Sequence, residues 1–435
     1  MWAKLYKHYK NKGIVHLLKL IAQRSYKNLV ALPLYIAALP FALLMVILFP
    51  WVEIYLVKLI SSRIGHYSMN IELLLCAMAQ PEHQNCKKEW VLFYQHSGAG
   101  VCNKQLKLMW QRILPFLPFP KIAMKADKIV ALMLRSTCYH QRYEFFKQYE
   151  VSSGNVDNQG LLSAHKPRLT FNAEELRLAK KMLKRLGIAK AAFVCLLVRD
   201  SAYLDRMNPD NDWSYHNCRD ADVANYRDAA LWLAEKGYYV LRMGKYTDKK
   251  FSVPHPRVID YANHSLKSDF LDIYLAAHCR YFISTSSGLD GVAQIFRRPV
   301  LYTDVFPNIA NIQFWYPAVL LQTKVIFDHQ QNRYLTAFEV DKLFLNNRDT
   351  VRMLSNGRLE LRNNTSAQIL AAAKEMEARL TALEDNSPLQ SQEQQLFIEQ
   401  LRQRFLKHHG NKYQVAKVRI AMVNSFLTAY KDIYT

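Results

Sequence analysis

Two spacings of apolar residues alternate along the chain. Short apolar runs at 52–60, 89–95, 191–198, 238–242, 258–261, 281–284 and 300–302 read as buried strands. Between them apolar residues return at helical spacing. Met69, Leu73, Leu74 and Met78 form one such set, and Leu106, Met109, Trp110 and Ile113 another. Helical patterns also cover 123–149, 170–187, 223–236 and 268–277, and Leu289, Val292, Ala293, Ile295 and Phe296 follow the run at 281–284. Punctuation agrees with this pattern. Asn172 before Ala173-Glu174-Glu175 starts a helix, Gly237 caps one, and Arg297-Arg298-Pro299 stops another. Strand, short turn, helix, strand in this order predicts parallel sheets and an α/β fold. A polar stretch at 152–167 separates two halves of similar grammar, 52–168 and 169–385. From 312 to 365 the pattern is mixed, with turns at 314–317 and 355–358. A helix at 367–383 follows, and 386–435 holds two last helices at 394–408 and 415–434.

The N-terminus breaks this grammar. Residues 1–28 carry Lys4, Lys7, Lys10, Lys12, Lys19, Arg24 and Lys27 around a short amphipathic helical pattern. Residues 29–51 are uncharged, close to the ~20 residues that span a bilayer. Pro33 and Pro40 should kink this run into an in-plane or re-entrant hairpin, or leave it as a surface helix; a buried core helix is the plain alternative. Positive flanks place the N-terminus on the cytoplasmic side. A single crossing would carry the body outside. The seven cysteines, at 76, 86, 102, 138, 195, 218 and 279, are odd in number, dispersed and without a Cys-x-x-Cys pair, which suits a reducing compartment. An embedded hairpin or surface helix satisfies both observations, so 1–51 reads as a membrane-associating segment.

Composition narrows the partners. The 435 residues are 50% hydrophobic with net charge +22, which suits nucleic acid, an anionic membrane face or phosphorylated substrates. No zinc-finger spacing, aromatic RNA-binding signature or long basic tail is present, so no nucleic-acid partner is expected. His83 with Cys86 and His216 with Cys218 lack a second pair at zinc spacing. Asp220-Ala221-Asp222 reads as a helix start, and no metal site is expected.

Candidate ligand groups follow the strands: Arg63 and His66, Arg199 and Asp200, Arg242, Gly244 and Lys245, Asp260 and Tyr261, and Ser286, Ser287 and Gly288. Positions after parallel strands face one crevice. Arginine suits phosphate there, because its planar fork offers two parallel donors. At 285–288 a helix N-terminus offers N–H groups to an anion, and Gly288 lets a ligand approach the backbone. The plain alternative for Ser286 and Ser287 is helix capping. For Arg199 it is a pair with Asp200, although neighbours on an extended segment point apart.

Arg199-Asp200 after a buried strand, then a serine-rich turn with Val292-Ala293 in its helix, resembles the donor half of the GT-B fucosyltransferases. One departure is that Leu197-Val198-Arg199 is apolar up to the arginine, where that family has a histidine. Arg63-Ile-Gly-His66, Arg219-x-x-Asp222, Gly237-Tyr-x-Val-x-Arg-Met-Gly244, Asp260-Tyr261, Ser268-Asp-Phe-x-Asp272 and Ser287-Gly288 are similar to a group of bacterial surface-polysaccharide glycosyltransferases. The resemblance covers about residues 52–310. It implies a GT-B fold, with two Rossmann-like domains facing a cleft. The implied activity is transfer from a nucleotide-diphosphate sugar to a glycan or glycolipid acceptor at the cytoplasmic face of the bacterial inner membrane, inverting, metal-independent and without a cofactor. On that reading Arg199 neutralises the leaving diphosphate, and His66 or Asp200 is the base. Arg242, Gly244, Lys245, Asp260, Tyr261, Ser286, Ser287 and Gly288 bind the donor, and Arg63, Gly65 and Asn103 lie on the acceptor side. The rivals are a sugar-nucleotide epimerase or hydrolase on the same fold, and a non-catalytic nucleotide-sugar-binding membrane protein.

Overall fold

A computed structural model describes residues 14, 22, 29–83, 88–95, 100–157, 159–188, 192–202, 206, 212–307, 319–343, 352–384, 394–400, 403 and 421–434. The chain forms two compact units. The first is Met1–Ile60, Gln84–Gly100 and Ile113–Val151; the second is Ser61–His83, Val101–Arg112 and Ser152–Thr435. The units therefore do not follow the expected boundary at residue 168, because two early segments belong with the later part of the chain.

In the first unit, β1 (Val52–Leu59) and β2 (Lys88–Gln95) pair in parallel, Val52 opposite Lys88 through Leu59 opposite Gln95. The helices Pro120–Leu134 and His140–Lys147 pack on them. Inside lies a polar network rather than a purely apolar core. The Asp127 carboxylate accepts from the hydroxyls of Tyr94, at 2.8 Å, and Tyr143, and from Lys147 Nζ at 2.7 Å. Lys147 also reaches Glu150 at 2.7 Å. Burial still holds the Glu150 carboxyl up at about 7, although Lys147 pulls it down. Leu29–Leu48 is one unbroken helix through Pro33 and Pro40. The expected hairpin does not form over these residues. The helix buries a narrow stripe, Ala38, Ala42 and Met45, and just past its end the Phe49 ring meets Tyr55 and Tyr139 edge-on.

The second unit is built on β3 (Phe193–Leu197), β4 (Tyr239–Arg242), β5 (Val258–Ile259), β6 (Phe282–Ser284), β7 (Val300–Val305) and β8 (Val319–Thr323). Then come β9 (Val325–Asp328), β10 (Arg333–Tyr334), β11 (Leu359–Arg362) and β12 (Ala421–Met422). Seven of these form a parallel sheet in the order β12-β8-β7-β6-β3-β4-β5. The sequence runs outward in one direction from β3 to β5 and in the other from β6 to β8, as in a Rossmann sheet, so β3 and β6 flank the switch point. β10, β9 and β11 make a separate antiparallel sheet over Ile326, Leu335, Val340 and Leu359.

Local signals set the helices. Asn172 and Glu175 form a reciprocal capping box on Ala173–Arg185. Ser268 accepts from Leu271 N–H at the start of Asp269–His278. Gly237, at φ +101°, turns the chain from Arg227–Glu235 into β4. The long helix Ser366–Glu384 matches its expected span. The last expected helix, 415–434, is broken within its described part, 421–434. Ala421–Met422 joins the sheet edge beside β8, and helices Asn424–Ala429 and Lys431–Tyr434 follow. The turn expected at 314–317 lies outside the described residues, and of the helix expected at 394–408 residues 394–400 and 403 are described, as helix.

Candidate active site

A cavity of about 430 Å³ opens where β3 and β6 end, and all of its lining belongs to the second unit. Arg199 and Asp200 follow β3, Ser286 to Gly288 follow β6, and Gly244 to Thr247 follow β4. Arg63, Gly65 and His66 come from the start of the helix Ile64–Met78, and Asn103 from the cap of Lys104–Gln111. Backbone N–H of Arg199 donates to Thr285 Oγ1 at 2.9 Å, tying the two strand ends together.

Cationic groups converge here. Arg199 Nη1 donates to the His216 carbonyl at 3.1 Å and to the Asp220 carboxylate, so its partner is Asp220 and not its neighbour Asp200. Arg219 Nη2 donates to the Ser286 carbonyl at 2.7 Å. Burial works against the charge of Arg219, while the buried Asp290 favours it. Burial first, and then the fields of Arg219, Arg199 and Arg63, push His216 down to about 4. Three arginines thus bear on one side chain in one cavity.

His66 has the properties of a base. Its Nδ1 lies 3.3 Å from Asn70 Oδ1, an acceptor, which puts the proton on Nδ1 and leaves the Nε2 lone pair available. Burial, with a smaller contribution from Arg63, lowers its pKa and keeps the ring neutral. Asp200 is more engaged. Its Oδ2 accepts from Asp248 N–H at 3.1 Å and lies 3.8 Å from Arg242, so it anchors the 244–248 loop. Burial raises its pKa.

The turn after β6 is not the open anion cradle expected from its sequence. Its helix, Asp290–Ile295, is only six residues long. Asp290 Oδ2 accepts from Ser287 N–H at 2.9 Å and from Ser284 Oγ at 2.7 Å, and Ser284 Oγ accepts from Ser286 N–H at 3.1 Å. The chain's own carboxylate fills the place of the phosphate, and the Ser286 and Ser287 hydroxyls remain as donors. Ser286 is in the left-handed region, φ +62°, so the turn is strained. Nor does Gly288 serve an approaching ligand. A Cβ on Gly65 would stand 3.0 Å from Gly288 Cα, and one on Gly288 would stand 3.1 Å from the Ile64 side chain. Both glycines let the helix Ile64–Met78 cross close to the β6 turn. Asn103 is committed as well, its Oδ1 accepting from Leu106 N–H at 2.8 Å and its Nδ2 donating to the Asp269 carbonyl at 2.9 Å. Arg63, Gly65 and Asn103, expected on a separate acceptor side, thus share a unit with the donor-side residues.

Arg242, Asp260 and Tyr261 do not line the cavity. Arg242 ends β4 with its side chain 1% exposed, 3.3 Å from Asp260 and 3.8 Å from Asp200. Tyr261 is fully buried, its hydroxyl near the Ser268 carbonyl at 3.5 Å. Lys245 is in the lining and donates to the Cys102 carbonyl at 3.3 Å. Gly244 is required by the backbone, at φ +151°. Asp220 and Asp222 part company: Asp220 holds Arg199, and Asp222 caps the short helix Val223–Tyr226 as expected. Sequence reasoning passed over Arg219, His216 and Asp272 as site residues. Arg219 and Asp272 stand in the motifs Arg219-x-x-Asp222 and Ser268-Asp-Phe-x-Asp272, which was the available signal. Asp272 lines the cavity, and burial raises its carboxyl to about 6.

No protein-family model and no curated protein matches the chain. Among solved structures it is similar to a glycosyl transferase family 9 protein from Veillonella parvula, at 8% identity over 75% of this chain and 97% of that one, with a TM-score of 0.41. It is similar to the E. coli ADP-heptose LPS heptosyltransferase II at 12% identity, over 69% and 98%, with a TM-score of 0.36. A third is the iron-containing dodecameric glycosyltransferase TibC from enterotoxigenic E. coli, at 13% identity over 75% and 79%, with a TM-score of 0.37. None of the three is a fucosyltransferase, and that part of the resemblance finds no support among them. These likenesses are distant, and the reading of the site rests on its own residues.

Proposed function

We propose that the cavity binds a nucleotide-diphosphate sugar and that the protein is a glycosyltransferase. The observation that carries this is the convergence of Arg63, Arg199 and Arg219 on His216 at the sheet's switch point. Three like charges around one cavity repel one another, and a bound polyanion relieves that repulsion. In the reaction the acceptor hydroxyl attacks the anomeric carbon and gives its proton to His66 Nε2. The bond from that carbon to the phosphate oxygen breaks, and its electron pair leaves with the diphosphate. Direct displacement inverts the anomeric centre. Arg199 and Arg219 stabilise the departing charge as it grows, so the step as written needs neither a metal nor a cofactor. On this reading the acceptor is a glycan or glycolipid at the cytoplasmic face of the bacterial inner membrane.

The test is a thermal-shift panel of nucleoside diphosphates on the full chain, followed by donor consumption with and without polyprenyl-linked glycan acceptors. The expected result is a stabilising shift that Arg219→Met abolishes, and turnover that requires acceptor. Turnover without acceptor supports the epimerase or hydrolase instead, and binding without turnover a binding protein. A panel with no shift overturns the reading of the cavity.

A further inference from the structure

The helix Leu29–Leu48 presents two unlike faces. One face buries Ala38, Ala42 and Met45, continued by Phe49 just past the helix end. About a third of a turn away, at 100° per residue, Leu32, Ile36, Leu39, Leu43 and Ile47 recur at steps of four, three, four and four. These five are 38–64% exposed, and Trp51 just beyond them is 70% exposed. Such a continuous apolar face is an interaction surface.

We propose that this face lies in the plane of an anionic lipid bilayer, embedded lengthwise beside the headgroups, and that the helix does not cross. The proposal goes beyond the transfer chemistry and does not depend on it. Length alone permits crossing, since 20 residues make about 30 Å of helix. Packing opposes it. Just past the helix end the Phe49 ring meets Tyr55 and Tyr139 of the unit's body, about 21 Å along from Tyr35. At Tyr35 the Lys125 ammonium sits 4.4 Å from the ring centre. A crossing helix would draw Lys125 and the neighbouring body into hydrocarbon, where a charge is costly. Lying flat, the helix sinks its exposed face and keeps the body in water. Charge selects lipid over a second copy. Residues 1–28 hold seven Lys and Arg and no Asp or Glu. Two copies meeting at this face would bring two such segments together, whereas phosphatidylglycerol headgroups neutralise them.

The test floats the purified full chain with vesicles of phosphatidylethanolamine and phosphatidylglycerol. Ile36→Asp, Leu43→Asp and Ile47→Asp, combined, alter exposed positions and leave the packed stripe intact, with folding checked by thermal melt. The expected result is flotation of the native chain and a loss of vesicle affinity of at least about 100-fold in the variant. Orientation is read in intact cells with a membrane-impermeant maleimide on Leu29→Cys and on Trp51→Cys, against the native chain. Both positions should be shielded in intact cells and both labelled after lysis. Labelling of one end alone from outside means a crossing helix and overturns the proposal. So does flotation of the triple variant like native protein, or a solution dimer of the native chain that the variant dissolves while vesicle binding is unchanged.

Discussion

Arg199 and Arg242 occupy comparable places. Each comes at or just past the end of one of two adjacent parallel strands, β3 and β4, and each has a carboxylate partner. Their surroundings set them apart. Arg242 ends inside its strand, 1% exposed, between Asp260 and Asp200, so its charge is already more than matched. Arg199 lies two residues beyond its strand, in the lining of the cavity, paired with Asp220 and close to Arg63 and Arg219. A buried arginine held between two carboxylates ties loops together. An arginine lining a cavity beside two others faces whatever anion enters it. The difference comes from which carboxylates the fold brings near.

The comparison can be broken by substitution. Arg199→Lys and Arg219→Met should each lower turnover by about 100- to 1000-fold, as loss of a donor to developing charge does in a desolvated site. Denaturant midpoints should stay near native. Near-native donor consumption in either variant removes that residue from leaving-group stabilisation. Arg242→Met should do the reverse and cost about 3 kcal/mol of stability, because Asp260 and Asp200 lose their buried partner. Urea unfolding measures this, and diphosphate affinity of the folded fraction should change little. A variant that keeps full stability but no longer binds diphosphate would make Arg242 a ligand group after all.

Smaller effects sharpen the picture. Gly65→Ala places a methyl 3.0 Å from Gly288 Cα and should destabilise by about 1–3 kcal/mol through overpacking. If the melting temperature is unchanged, the helix and the β6 turn are not held at that distance in solution. The smallest effect concerns protons. His216 is held at about 4, below the ordinary 6.5, by burial and the arginines. Its folded form therefore binds fewer protons than the unfolded chain between these values. The stability it contributes is fully present above pH 6.5 and is lost as pH falls towards about 4. A bound diphosphate offsets the arginines and raises His216, so binding near pH 5 should take up a fraction of a proton. Calorimetry in two buffers of different ionisation enthalpy reads this, and Arg219→Met should reduce the uptake.

Much of this was legible in the chain. Apolar runs marked β1, β3, β4, β6 and β7, because parallel strands buried on both faces need continuous apolar side chains. Asn172, Ser268 and Gly237 marked helix ends, since capping is a contact between near neighbours. Arg199 could be singled out because it is the first charge after the uncharged run 191–198. The cationic excess and the uncharged run at 29–51 are likewise properties of composition. Partners distant in the chain could not be read. Asp220 stands 21 residues from Arg199, and Asp260 stands 18 from Arg242. Gly65 meets Gly288 across more than 200 residues. Local pattern determines whether a segment is a strand or a helix and where it ends, because those preferences act within a few residues. Only the tertiary structure decided which arginines face the cavity, why Gly288 is a glycine, and that Asp290 fills the turn, because electrostatics and packing act through space between residues the sequence keeps far apart.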